Sequence, residues 1–209
     1  MSADPKNGSP DLMENLYGTG EVMLGRESGL SRIDCGFEGF IWSFSGLVLA
    51  GLIDVSALSM LHNIYVSANT VSLGKFAFVF GHLVTALMGY VASLVALYLL
   101  CRAPEEQSRF TTAVTVHNWA APLVSAAFSP LFLLVAYSNQ TSPDGGANPL
   151  LNLISVVWLG VLIFVGFRLI RISLNVEAGR AAALFAATTF VSLVTVEGLE
   201  ILFGLQRLS

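Results

Sequence analysis

Leu150–Ile170 reads LLNLISVVWLGVLIFVGFRLI, twenty-one residues in which Arg168 is the sole charge. Such a stretch is read as a membrane helix, because about 20 apolar residues rising 1.5 Å each are needed to cross a hydrocarbon core of roughly 30 Å. Four further segments share its character: Phe40–Leu61, Phe76–Cys101, Phe110–Tyr137 and Ala181–Leu205. The expected fold class is therefore all-α, a polytopic membrane protein with five transmembrane helices. Composition agrees. With 55% hydrophobic residues, 11% charged residues and a mean hydropathy of +0.73, a water-soluble fold would strand too much apolar surface.

Once the five segments alternate across the bilayer, eight of the ten basic residues fall on one side. Lys6, Arg26 and Arg32 precede the first segment, Arg102 and Arg109 join the second to the third, and Arg168, Arg171 and Arg180 surround the turn from fourth to fifth. Only Lys75 and Arg207 lie opposite. The positive-inside rule then puts the N-terminus in the cytoplasm and the C-terminus outside. The net charge of −4 arises largely from Asp4, Asp11, Glu14, Glu21, Glu27, Asp34 and Glu38, all ahead of or at the first span. No broadly basic surface for nucleic acid is present, so the expected partners are the lipid bilayer and other membrane proteins or further copies of the chain.

Residues 1–36 read as a polar, flexible cytoplasmic tail and 37–209 as one five-helix membrane domain. Leu12, Leu16, Val22, Met23, Leu24 and Leu30 could form a weak interfacial helix, but Gly18, Gly20 and Gly25 interrupt it at about 1 kcal/mol each relative to alanine, so disorder with a short docking stretch is expected. The tail lacks the pattern of a secretory signal, so the first span is expected to be an uncleaved anchor. Cys35 and Cys101 sit at the cytoplasmic edge, where reducing conditions disfavour a disulfide. They read as small apolar residues, with lipidation or redox use as the alternative. In the second span Gly81, Thr85, Gly89 and Ser93 recur every fourth residue, a small-residue stripe that lets another helix approach closely. Pro122 and Pro130 are expected to kink the third.

Function is sought among polar residues at membrane depth, since ionisable groups there are costly unless paired or hydrated. At 1.5 Å per residue Asp54 lies about 21 Å and Glu197 about 24 Å from the cytoplasmic edge, and His82 about 9 Å below the outer edge. With Glu200 one turn beyond Glu197, these four are expected to form one polar pocket in the outer half. The pocket reads either as a proton-linked or cation-binding vestibule, or as groups reaching headgroups and water. Haem ligation by His82 and His117 is disfavoured by a depth offset near 10 Å. His117 and Asn118 instead read as hydrogen-bonding neighbouring helices, with Trp119 anchoring at headgroup depth. No HxxxH, CxxC or HExxH spacing supports a metal, and no GxSxG elbow or Walker loop supports catalysis, so neither cofactor nor enzymatic activity is expected. Arg168, Arg171 and Arg180 are candidate contacts for lipid phosphate, although topology alone accounts for them.

Short motifs add a resemblance. Trp119-Ala120-Ala121-Pro122 in the third span, Val157-Trp158-Leu159 leading to Gly166-Phe167-Arg168, and the start Arg180-Ala181 make residues 37–205 similar to the Yip1-domain family. Asn15-Leu16-Tyr17-Gly18-Thr19 resembles the Asp-Leu-Tyr-Gly-Pro element of eukaryotic members, with Asn15 for Asp and Thr19 for Pro. Those departures weigh against binding of Rab-type GTPases. The resemblance implies a scaffold, assembly or membrane-organising protein in a bacterial inner membrane, or in Golgi or endoplasmic reticulum membranes of a eukaryote. The alternatives are a small transporter or ion pathway using the outer carboxylates, and an accessory subunit of a larger membrane complex.

Overall fold

The computed structural model describes residues 11–67, 73–141 and 148–205; Lys6 and Arg207 of the charge pattern lie outside them. Every regular element among the described residues is helical. A short α1, Leu12–Met23, and a 3₁₀ turn, Glu27–Ser31, precede the long helices α2, Phe37–Ser67, and α3, Lys75–Leu100. A five-residue α4, Pro104–Ser108, leads into α5, Phe110–Thr141, followed by α6, Pro149–Leu174, and α7, Ala178–Leu202. Five of these are long and apolar enough to cross a membrane: α2, α3, α5, α6 and α7. The chain is an all-α polytopic membrane protein.

Local chemistry explains the helix ends. Asn148 caps α6, its side-chain oxygen accepting from Leu150 N and Leu151 N, and Pro149 occupies the first turn where no amide partner is needed. The same helix stops at Asn175, whose φ of 53° lies in the left-handed region that asparagine tolerates. α5 runs through both Pro122 and Pro130.

The principal helix neighbours close into a ring in the order α2, α3, α7, α6, α5. Because the spans alternate, α2 and α5 run parallel and the other neighbours run antiparallel. At the arginine-rich end the ring is plugged. Leu97, Cys101, Ile170, Leu174, Ala181 and Leu184 form one buried cluster there. Val116, Trp119, Ala120 and Leu169 form another with Val22 and Ile33 from the N-terminal segment. Arg180 clamps this end: its Nε donates to Glu106 Oε1 at 2.8 Å, and its Nη2 donates to Glu106 Oε2 at 2.9 Å and to the Leu100 carbonyl at 2.6 Å. The guanidinium holds the Glu106 carboxyl below the usual carboxylate range.

Residues 11–36 correct the expectation of a flexible tail. α1 is capped by Asp11, whose carboxylate accepts from Met13 N at 2.9 Å, and it packs on α5 and α6. Of the glycines expected to break it, Gly18 serves contact instead, while nothing lies within 4 Å of a Cβ on Gly20, and Gly25, at φ 86°, follows the helix end. A Cβ on Gly18 would lie 2.7 Å from the Gly29 carbonyl oxygen, and one on Gly29 would lie 2.3 Å from the Gly18 carbonyl oxygen. The two backbones therefore touch where only hydrogen fits. Asn15, the first residue of the Yip1-like element, is buried, donating to the Asp11 carbonyl at 3.0 Å and accepting from Asp34 N at 3.0 Å. Arg32 pairs with Glu14 and Glu21 at 3.3 and 3.1 Å. Trp119, expected to anchor in headgroups, is 0% exposed and packs beneath this segment against Val22 and Ile33.

Candidate functional site

Toward the end opposite the arginines the ring opens into a vestibule of about 420 Å³ between α2, α3, α5 and α7. Helical period places its side chains. On α7, Ser192 and Val196 face Gly89 of α3, so the next position on that stripe, Glu200, points back at α3 as well. His82 stands opposite, its Nε2 3.9 Å from Glu200 Oε1. Asp54 enters from α2, with Ser125 of α5 nearby. The remaining walls are apolar, among them Leu58, Leu61, Leu83, Phe128 and Phe132.

The structure thus brings together Asp54, His82 and Glu200 of the expected pocket and leaves out Glu197. Three residues of helix turn about 300°, which rotates Glu197 roughly 60° off the Glu200 stripe. Its side chain is exposed on the outer surface of α7. The small-residue stripe lies inside the bundle: Gly81 accommodates Leu205, Gly89 accommodates Val196 and Ser192, and Thr85 is buried. The Ser93 hydroxyl turns to its own helix, donating to the Tyr90 carbonyl at 2.7 Å.

Proton placement at His82 follows from geometry. Its Nδ1 lies 2.8 Å from the Phe78 carbonyl oxygen, which can only accept, so Nδ1 carries hydrogen. Nε2 is then the nitrogen left to gain or lose a proton, and it faces a carboxyl. At 3.9 Å the contact is too long for a direct hydrogen bond and short enough for an ion pair. A proton arriving at Nε2 therefore meets a partner that can balance it. His82 and Glu200 side chains are 21% and 26% exposed, so both remain reachable from outside the protein.

His62, one residue beyond the expected end of the first span, joins this region through Phe78. The Phe78 ring lies between the two imidazoles, with centroids 5.3 Å from His62 and 4.3 Å from His82. His62 Nε2 donates to the Leu73 carbonyl at 2.9 Å and closes the α2–α3 connection. Ending the first span at Leu61 hid it; the heptad-like spacing of Asp54, Leu58, Leu61 and His62 was the available signal.

Nearer the arginine-rich end a second polar group is fully internal. Asn118 Nδ2 donates to Ser43 Oγ at 2.8 Å, and the Tyr90 hydroxyl donates to Asn118 Oδ1. One side chain so links α2, α3 and α5. Among the proposed phosphate contacts, Arg180 is engaged by Glu106, and Arg168 donates to the Leu24 carbonyl while lying over the Phe164 ring at 4.2 Å. Arg171 is exposed. Cys101 is buried, and burial pushes the half-buried Cys35 thiol up from its ordinary pKa. Among the described residues no group of three or more His, Cys, Asp or Glu is placed to hold a metal ion.

Compared with known proteins, the chain matches no family model, no curated protein and no solved structure. These comparisons lend no support to the Yip1-domain resemblance.

Proposed function

We propose that this protein is a small membrane transporter or ion pathway whose outer vestibule handles its solute with coupled protonation. The observation that carries the reading is the convergence of Asp54, His82 and Glu200, from three different helices, on one cavity. Intramembrane ionisable groups are expensive, and a bundle that needed only to fold would place apolar residues there. The buried cluster of Trp119, Val116 and Leu169 fills the bundle toward the arginine-rich end. Catalysis is no part of the proposal.

In proteoliposomes carrying a pH gradient, Glu200→Gln is expected to lower proton flux about tenfold or more, because it removes the partner of the His82 proton. Glu197→Gln is expected to leave flux unchanged. Equal flux in wild type and Glu200→Gln, with the variant correctly inserted, contradicts the proposal.

A second reading is favoured by α6. Toward its N-terminus much of its surface is exposed, with Leu150 at 64%, Val156 at 66% and Leu159 at 55%, while Leu151, Ser155 and Trp158 form a partly buried stripe. That surface suits a neighbouring membrane helix, as a scaffold, assembly factor or accessory subunit of the Yip1-like kind would need. A bacterial inner membrane is the location proposed with it. Native mass spectrometry from nanodiscs showing only monomer, with nothing copurifying, counts against this reading.

A further inference from the structure

We infer that the ligand of the vestibule is a small organic cation, an ammonium group carrying an apolar body; this rests on the transport reading and names its substrate class. Two carboxyl groups enter the cavity from α2 and α7, helices that are not neighbours in the ring, with His82 on the α3 wall between them. No lysine or arginine lines it, and α5 contributes no titratable group, only Phe128, Ser129 and Phe132.

Charge decides the sign of the ligand. An anion would meet Asp54 and Glu200 with no basic side chain to offset them other than a protonated His82. A neutral apolar molecule would fill the walls but bring no counter-charge to the two carboxyls, which it would desolvate further. A bare metal ion demands several oxygen ligands at short range, and the three ionisable side chains are too dispersed to supply them. An ammonium group needs fewer contacts. It can take a carboxylate, lie against the phenyl faces of Phe128 and Phe132, and donate to a neutral His82 through Nε2, while its apolar part occupies space beside Leu58 and Leu83.

The test uses the full chain in nanodiscs and three probes of similar shape: 2-phenylethylammonium, 2-phenylethanol and 3-phenylpropionate. Binding is read by calorimetry and by the ¹⁵N resonances of His82, so that partition into lipid is separated from entry into the vestibule. The ammonium is expected to bind and to shift His82, and Asp54→Asn is expected to weaken it about tenfold, the loss of one charged contact. Glu197→Gln, which alters an acid outside the cavity, is expected to bind as wild type does. Comparable binding of the alcohol, preference for the carboxylate, or indifference to Asp54→Asn overturns the cation assignment. If flux still depends on Glu200 in that case, the pathway stands without this substrate class. If no probe reaches His82 and flux ignores Glu200, both fall.

Discussion

Gly46→Leu is expected to destabilise the protein by about 2–5 kcal/mol, the largest stability loss of any single substitution considered. A Cβ at this position would lie 2.5 Å from the Asn118 carbonyl oxygen, 3.1 Å from its carbon and 3.2 Å from Trp119 Cε3. The obstruction is backbone and a buried indole rather than a side chain that can swing aside. α2 and α5 must therefore separate, at about 1–3 kcal/mol for overpacking alone. Separation also stretches the Asn118–Ser43 hydrogen bond one turn away, and such bonds contribute about 0.6 to 1.7 kcal/mol within membranes. Unfolding in mild detergent by added SDS, followed by tryptophan fluorescence, measures the loss. Gly51→Leu is the control, because nothing lies within 4 Å of a Cβ there. Equal stability of the two variants contradicts the close α2–α5 contact.

Asn118→Leu is the second large effect, expected to cost about 2 kcal/mol. Leucine keeps the bulk and removes both hydrogen bonds. Ser43 still donates to the Phe40 carbonyl at 2.7 Å, so its hydroxyl hydrogen remains satisfied. Tyr90 is the residue left unpaired, its hydroxyl at membrane depth without the Asn118 acceptor. Much of the cost is expected to vanish when Tyr90→Phe is combined with it, since removing both partners leaves no orphan. A double-mutant cycle in the same unfolding assay reads the coupling, expected at about 0.6 to 1.7 kcal/mol. Strict additivity of the two substitutions would show that the Tyr90–Asn118 contact does not stabilise the fold.

The five spans were legible because a lipid solvent imposes one rule on length and composition, and that rule acts locally. Boundaries were less so: the first span begins at Phe37 and continues to Ser67, three residues earlier and six later than Phe40–Leu61. That extension is what conceals His62. The depth of Asp54 and His82 followed from counting residues, and their meeting with Glu200 agrees with that count. The choice of Glu200 over Glu197 did not follow, because both fit the depth and only the packing of Ser192 and Val196 on Gly89 selects a face. Long-range partners were invisible for the same reason. Nothing in the local pattern ties Arg180 to Glu106, 74 residues away, or turns Gly18 from a helix breaker into a contact with Gly29. The tail was misread because Gly18 was weighed by propensity, a local quantity, while the structure uses it for backbone approach.

The central claim is that the His82 imidazole and the Glu200 carboxyl face each other inside the vestibule. The ¹⁵N spectrum of histidine-labelled protein in bilayers tests it most directly, with three histidines to assign. The account predicts that the neutral His82 ring carries its proton on Nδ1, that Glu200→Gln moves its resonances, and that Glu197→Gln does not. A neutral ring protonated on Nε2 with a spectrum indifferent to Glu200→Gln, or one that responds to Glu197→Gln instead, would contradict it.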